Sequence, residues 1–364
     1  MKTHASNKTK KAVLPLIVIM ALFTIIMFFS CEEPYEEMGT VIINFGGSAR
    51  YNAWESGKEP DSRIINSLQY TVTLTGTSTI SRNVSPGITS VRMAVPPGTW
   101  EISLDVFYDG MLFAAGDAQH PVEIKSGQSI HVPIVMRRSE HTFFVVGSGV
   151  EWRDTIIKIA TGDAAGGYNN YVITITNDIS LPSDFLITSG SFDIIIRGNH
   201  TITSGSSGTG PLFTLESGQN ITLKDTRLAG RPNSGPIVNI SGGIFTMEGS
   251  ASLSRNNNTA TGAGGGVYVG GGTFIMKGGT IGGNQATEGG GVYVSNNGTF
   301  IKTGGTIYGN DESINQNIAS NPAGIAGHAV YIAPGSLFAN GGYRNTTAGP
   351  NVNLSTDSTD NWNM

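Results

Sequence analysis

Apolar and polar positions follow two different rhythms along this chain, and the change falls near residue 138. From Thr40 to Arg137 the rhythm is a two-residue alternation. Tyr70-Thr71-Val72-Thr73-Leu74-Thr75 and Val91-Arg92-Met93-Ala94-Val95 place apolar side chains on one face and polar ones on the other. Side chains alternate across a strand, so these are half-buried strands. Val41–Phe45, Thr99–Val106, Leu112–Ala115 and Ile130–Val135 add to the set. Glycine and proline turns such as Pro96-Pro97-Gly98 separate them. Strands at this spacing predict a small antiparallel β-sandwich over residues 40–137.

Beyond it the rhythm is longer. Gly264–Asn284 reads GGGVYVGGGTFIMKGGTIGGN, and Gly289–Asn310 reads GGGVYVSNNGTFIKTGGTIYGN. Tyr268 returns as Tyr293 after 25 residues, and Phe274 as Phe300 after 26. A fixed period of this size means stacked units. Each unit holds three short apolar pieces divided by Gly, Asn or Thr, with too much glycine for a helix. Three strands per turn of a right-handed parallel β-helix is the expected architecture over residues 165–340. The fold class is therefore all-β, a sandwich followed by a β-helix.

The alternation rule orders the coil. Ile194, Ile221, Phe245, Phe274 and Phe300 form one inward column, and Ile196, Leu223, Met247 and Met276 the next. Lys302 falls at the end of that second column, which predicts a core that opens there. Arg197, Lys224, Glu248, Lys277 and Thr303 form an outward column, a charge ladder on a solvated face. Residues 138–164 read as a connector, with an amphipathic helix from Glu151 to Thr161 bearing Trp152, Ile156, Ile157 and Ile159. That helix is placed to cap the first open end of the coil, whose strand edges need cover. Asp311–Ala326 is a polar insert, and residues 341–364 a polar cap or tail.

Two outward positions recur. Thr214, Asn239, Tyr268, Tyr293 and Tyr331 occupy the same place in successive third strands. The three tyrosines would stand in file, either bracing neighbouring strands or binding a sugar or a partner's apolar surface. Asn256, Asn284 and Asn310 each follow an apolar residue by three positions, at Leu253, Ile281 and Ile307. Asparagines stacked at a turn can hydrogen-bond up the coil.

Composition adds an address. The 364 residues carry 50 glycines and only 13% charged side chains, for a formal net charge of −5. No basic cluster follows residue 11, so nucleic acid is not an expected partner. Lys8, Lys10 and Lys11 precede an apolar run from Ala12 to Phe29 that ends at Ser30-Cys31. A charged start, an apolar core and a small residue describe an export signal, and an uncleaved membrane anchor is the alternative. Cys31 is the chain's sole cysteine, so it forms neither an intramolecular disulfide nor a cysteine cluster for metal. An acidic tether, residues 32–39, follows it.

Several of these features resemble known families. The run ending at Cys31 resembles a bacterial lipoprotein signal, in residues 1–31, with Phe28 where leucine is usual. The resemblance implies lipidation of Cys31, a membrane as partner, and an address in the bacterial envelope, at the outer membrane. Val95–Trp100 resembles the turn of transthyretin-like and carboxypeptidase-regulatory-like sandwiches, which implies a spacer or assembly module. The asparagine positions resemble the ladder of the pectin-lyase-like superfamily. The phrases GGGVYV, GGTF and GGTI-GN resemble repeats of adhesin-like and polymorphic outer-membrane-type surface proteins.

Function is read from sites, not folds. Lyases and hydrolases that resemble this coil group several acids on one outer sheet. Here Glu248 is flanked by Lys224 and Lys277, and Asp193, Asp225 and Glu288 fall at other phases. His120, His131, His141, His200 and His328 are scattered, and no zinc spacing or phosphate loop is present. No catalytic residue, cofactor or metal is assigned. The expectation is a non-catalytic, lipid-anchored protein presenting a rigid coil for adhesion or for a glycan or surface protein. A polysaccharide lyase or glycoside hydrolase, and a display protein without ligand, are the alternatives.

Overall fold

The computed structural model describes residues 37–44, 60–162, 169–181, 190–205, 210–232, 235–259, 262–321, 327–335, 341–357 and 362. The apolar run 12–29, Cys31 and most of the tether lie outside the described residues.

The N-terminal part is a two-sheet sandwich. One sheet runs in the order Thr79–Val84, Gln69–Thr75, Gly98–Tyr108, Met111–Asp117, Val135–Arg138. The other is Ser90–Val95, Gly39–Asn44, Ser129–His131. Alternation decides the faces: in Ser90–Val95 the residues Val91, Met93 and Val95 are buried and the intervening ones exposed. The sheets are mainly antiparallel, but Gly39–Asn44 pairs in parallel with Ser129–His131. The first strand among the described residues thus lies between two later ones. Trp100 is buried after the Pro96–Gly98 turn, and its indole N–H donates to the Pro96 carbonyl at 3.0 Å.

The rest is a right-handed parallel solenoid of about five turns. Three long sheets run along it. The first stacks His141–Val146, Asn170–Ile175, Phe192–Arg197, Gln219–Lys224, Ile244–Glu248, Thr273–Met276 and Thr299–Lys302, all in parallel. The second runs from Ile179–Leu181 to Thr306–Ile307, and the third from Phe213–Leu215 to Val330–Ile332. A short fourth sheet, Asn257–Asn258, Gln285–Ala286 and Ile318–Ala319, lies at one corner. The inward columns match the alternation: Ile194, Ile221, Phe245, Phe274 and Phe300 are in register and buried.

The coil begins earlier than the sequence predicts. Residues 141–146, expected in a connector, form the first strand of the first sheet. The helix spans Gly149–Thr161 and follows that strand. Ser148 Oγ accepts from the Glu151 N–H at 3.2 Å, and the Glu151 carboxylate accepts from the Gly147 N–H at 2.6 Å, a reciprocal cap. Trp152, Ile156 and Ile159 are buried in the solenoid core, with the Trp152 and Phe213 rings 5.7 Å apart. Ile157 points outward, 47% exposed.

The far end is closed, not open. Gly342–Arg344 folds back antiparallel on Val330–Ile332, and Leu354–Ser355 on Thr299–Lys302. Lys302 stays in the inward column, 1% exposed, and its Nζ donates to the carbonyls of Gly349 and Val352 at 2.7 Å each. Burial pushes its ammonium down to about 8. The lysine therefore ties the returning chain across the core that it was expected to open.

The first coils of the solenoid pack onto the sandwich. Phe143, Val145 and Val172 face outward from the first coils and are buried among the sandwich's apolar residues. The Phe143 ring lies 5.3 Å from Phe113 and 5.9 Å, edge-on, from Tyr108. Arg197, expected on a solvated face, is buried in this junction. It donates to the carbonyls of Tyr108 and Asp109 at 3.2 and 3.1 Å and lies over the Tyr108 ring. The remainder of that column is solvated, with Lys277 Nζ 2.9 Å from Glu248 Oε1.

Candidate functional site

The third sheet carries the candidate site. Its strands are three residues long, with the outer two side chains buried and the central one turned out. Register aligns Thr214, Asn239, Tyr268, Tyr293 and Tyr331 along the coil axis. Tyr343 joins the file, paired with Tyr331 through the antiparallel return strand. The sequence does not signal Tyr343, because the chain has reversed direction by then.

The three predicted tyrosines are half-buried. The rings of Tyr268 and Tyr293 stack 5.2 Å apart at 4°, and those of Tyr293 and Tyr331 5.5 Å apart at 17°. Each inner face is thus covered by the next ring. What the stack leaves uncovered along its length is ring edges, not ring faces. Burial, then the Glu288 carboxylate, pushes the Tyr293 hydroxyl up to about 12. The same two causes raise that of Tyr331. Both are neutral phenols at neutral pH, able to donate and accept.

Beside the file, the Glu288 carboxylate accepts from Asn321 Nδ2 at 2.9 Å, and the Glu288 carbonyl accepts from the Gly264 N–H. Glu288 precedes Gly289, whose φ of +61° needs no Cβ and whose Cβ position would lie 2.8 Å from Tyr293 Cβ. The tyrosine sits directly against this glycine.

The asparagine ladder is a structural element. Asn256 and Asn284 occupy it, but the third rung is Asn317, not Asn310. Asn284 Oδ1 accepts from the Asn256 N–H at 3.2 Å, and Asn317 Oδ1 from the Asn284 N–H at 3.1 Å. Asn317 Nδ2 donates to the carbonyls of Ile281 and Tyr308. Asn310 is exposed, with its backbone N–H on the Asn345 carbonyl. The residues after Ile307 loop outward, so the same three-residue spacing no longer points into the corner.

The acids are dispersed among structural bonds. Asp193 accepts from Asn220 Nδ2, Asp225 from the Ser250 N–H and hydroxyl, and Asp178 from the Thr201 N–H. Among the described residues no three of His, Cys, Asp and Glu converge as metal ligands. A cleft of about 330 Å³ in the sandwich, lined by Thr75, Glu101, Asp117 and His120, lies apart from the tyrosines. Among the described residues no helix is long and apolar enough to cross a membrane. No protein family, curated protein or solved structure matches the chain.

Proposed function

We propose that this chain is a lipid-anchored envelope protein that binds an extended glycan along the tyrosine file of its solenoid. Lipidated Cys31 would supply the anchor, and two or more acyl chains would make it stable. The sandwich would act as the spacer between anchor and coil. The observation that carries the reading is the row of Tyr268, Tyr293 and Tyr331, one per coil, half-buried and stacked ring on ring at the outward position of the third sheet. Such a row offers a donor and acceptor at each step together with an apolar ring edge. Because the inner faces cover one another, a sugar chain would lie across the edges of the file.

A glycan array separates the possibilities. Wild type should bind a linear glycan, the triple Tyr268/Tyr293/Tyr331→Phe variant should bind it weakly, and the triple alanine variant should not bind it. No glycan bound by wild type, or equal binding by all three, removes the proposal. Palmitate labelling tests the anchor: it should be lost in Cys31→Ser, and unchanged labelling refutes lipidation there.

A further inference from the structure

The tyrosine file is chemically uneven along its length. A left-handed glycine precedes each tyrosine: Gly264, Gly289 and Gly327, with φ of +76°, +61° and +60°. The residue before that glycine is Ala263, Glu288 and Ala326 in successive coils. An acid therefore replaces alanine at the middle coil alone. Glu288 is half-buried, and Asn321 holds its carboxylate by a 2.9 Å hydrogen bond. Glu288 stands one residue before Gly289, whose Cβ position lies 2.8 Å from Tyr293 Cβ, and after burial its charge is a further cause that raises the Tyr293 and Tyr331 hydroxyls.

The spacing of the file bears on what can lie along it. Ring centroids repeat at 5.2 and 5.5 Å. An extended β-linked pyranose chain advances one sugar over nearly the same distance. A peptide strand laid along the axis would bring same-face side chains about 6.4–6.8 Å apart and would drift out of register within three coils.

Resting on the glycan reading above, we infer that the site selects an extended β-linked polysaccharide bearing free amino groups, one sugar per coil, with Glu288 as the specificity residue. An ammonium on the sugar beside Tyr293 would meet the fixed carboxylate in a charge-assisted hydrogen bond. An acetylated amine would lose the charge, and a uronate would bring like charge against Glu288.

The test compares three β-1,4-linked hexasaccharides: glucosamine, N-acetylglucosamine and glucuronate. Binding to the full chain is measured by calorimetry for wild type, Glu288→Gln, Glu288→Ala and the triple tyrosine-to-phenylalanine variant. Glu288→Gln keeps an acceptor for Asn321, and Glu288→Ala copies the neighbouring coils, so at least one variant should fold like wild type by circular dichroism. Wild type should bind the glucosamine oligomer about tenfold more tightly than the acetylated one, as loss of one charged hydrogen bond implies. Either Glu288 variant should bind the two alike.

A preference that survives both substitutions, or wild type binding both forms equally in a tyrosine-dependent way, overturns the role of Glu288 and leaves the glycan reading standing. Wild type binding none of the three overturns the amino-sugar assignment, and the wider array then decides the glycan reading. A lysine decapeptide bound as tightly, with the same dependence on Glu288, shows that the site reads positive charge and overturns the sugar assignment.

Discussion

The same coils carry two aromatic stacks, one inside and one outside. Phe245, Phe274 and Phe300 stack at 5.8 and 5.2 Å within the core, and each is 0% exposed. Tyr268, Tyr293 and Tyr331 stack at 5.2 and 5.5 Å on the surface. Ring spacing is close in the two because the parallel strands set it, at about 4.7–4.9 Å between backbones. What differs is the work that burial does. The phenylalanines fill a volume that nothing else can fill, so the hydrophobic effect and dense packing act on the whole ring. The tyrosines are only half-buried and brace one another by their faces, so they add less to stability.

Substitutions can break that comparison. Phe274→Ala should cost about 3–5 kcal/mol, the usual range for emptying a buried aromatic site, read as a fall in the urea midpoint. A loss no larger than that of Tyr293→Ala would show that the inner stack is not the stronger. The end of the inward columns offers a pH test. Lys302 releases its proton near pH 8 when folded, against an ordinary value of 10.5. Between those values the unfolded chain binds the extra proton, so stability should rise with pH, on the order of 3 kcal/mol in all. Lys302→Met should remove that rise. The outer stack predicts the opposite sign. Tyr293 ionises near 12 when folded and near 10.0 otherwise, so its contribution is lost as pH climbs from 10 to 12. Tyr293→Phe should flatten that fall.

Asn284→Ala should cost about 1–3 kcal/mol, because it strands the buried Asn256 N–H and the Leu253 carbonyl. Asn310→Ala should be near neutral, which would confirm by stability the exchange of Asn310 for Asn317. Tyr293→Phe at neutral pH should likewise cost little, under about 0.5 kcal/mol. It keeps the ring stack and removes only the hydroxyl. A larger loss there would mean that the hydroxyl row is structural and not available to a ligand.

The inward columns were legible because two constraints coincide: alternation within each strand and a glycine-marked step between coils. Three features escaped for one reason, that neighbours far along the chain change what a position means. Phe143–Val146 reads as an unbroken apolar run because Phe143 and Val145 face out of the coil yet into the sandwich. Arg197 has the sequence phase of a solvated residue, but the Tyr108–Gly110 turn lies over it. The ladder asparagine moved from 310 to 317 because an outward loop intervenes, and only burial distinguishes the two. Of the candidate site, the tyrosine file was legible from its period, including which way it points. The mutual covering of the ring faces was not, since it depends on side-chain rotation. Glu288 stood in plain view but out of phase with the other acids, and only the Asn321 contact and its nearness to Tyr293 give it a role.

The packed junction between sandwich and solenoid has a mechanical consequence. Phe143, Val145, Val172 and Arg197 leave no swivel between the sandwich and the first coils. A load applied at the tyrosines, several coils away, reaches the N-terminal strand as torque on a stiff lever. The sandwich and the first coils, locked by these contacts, therefore turn as one piece.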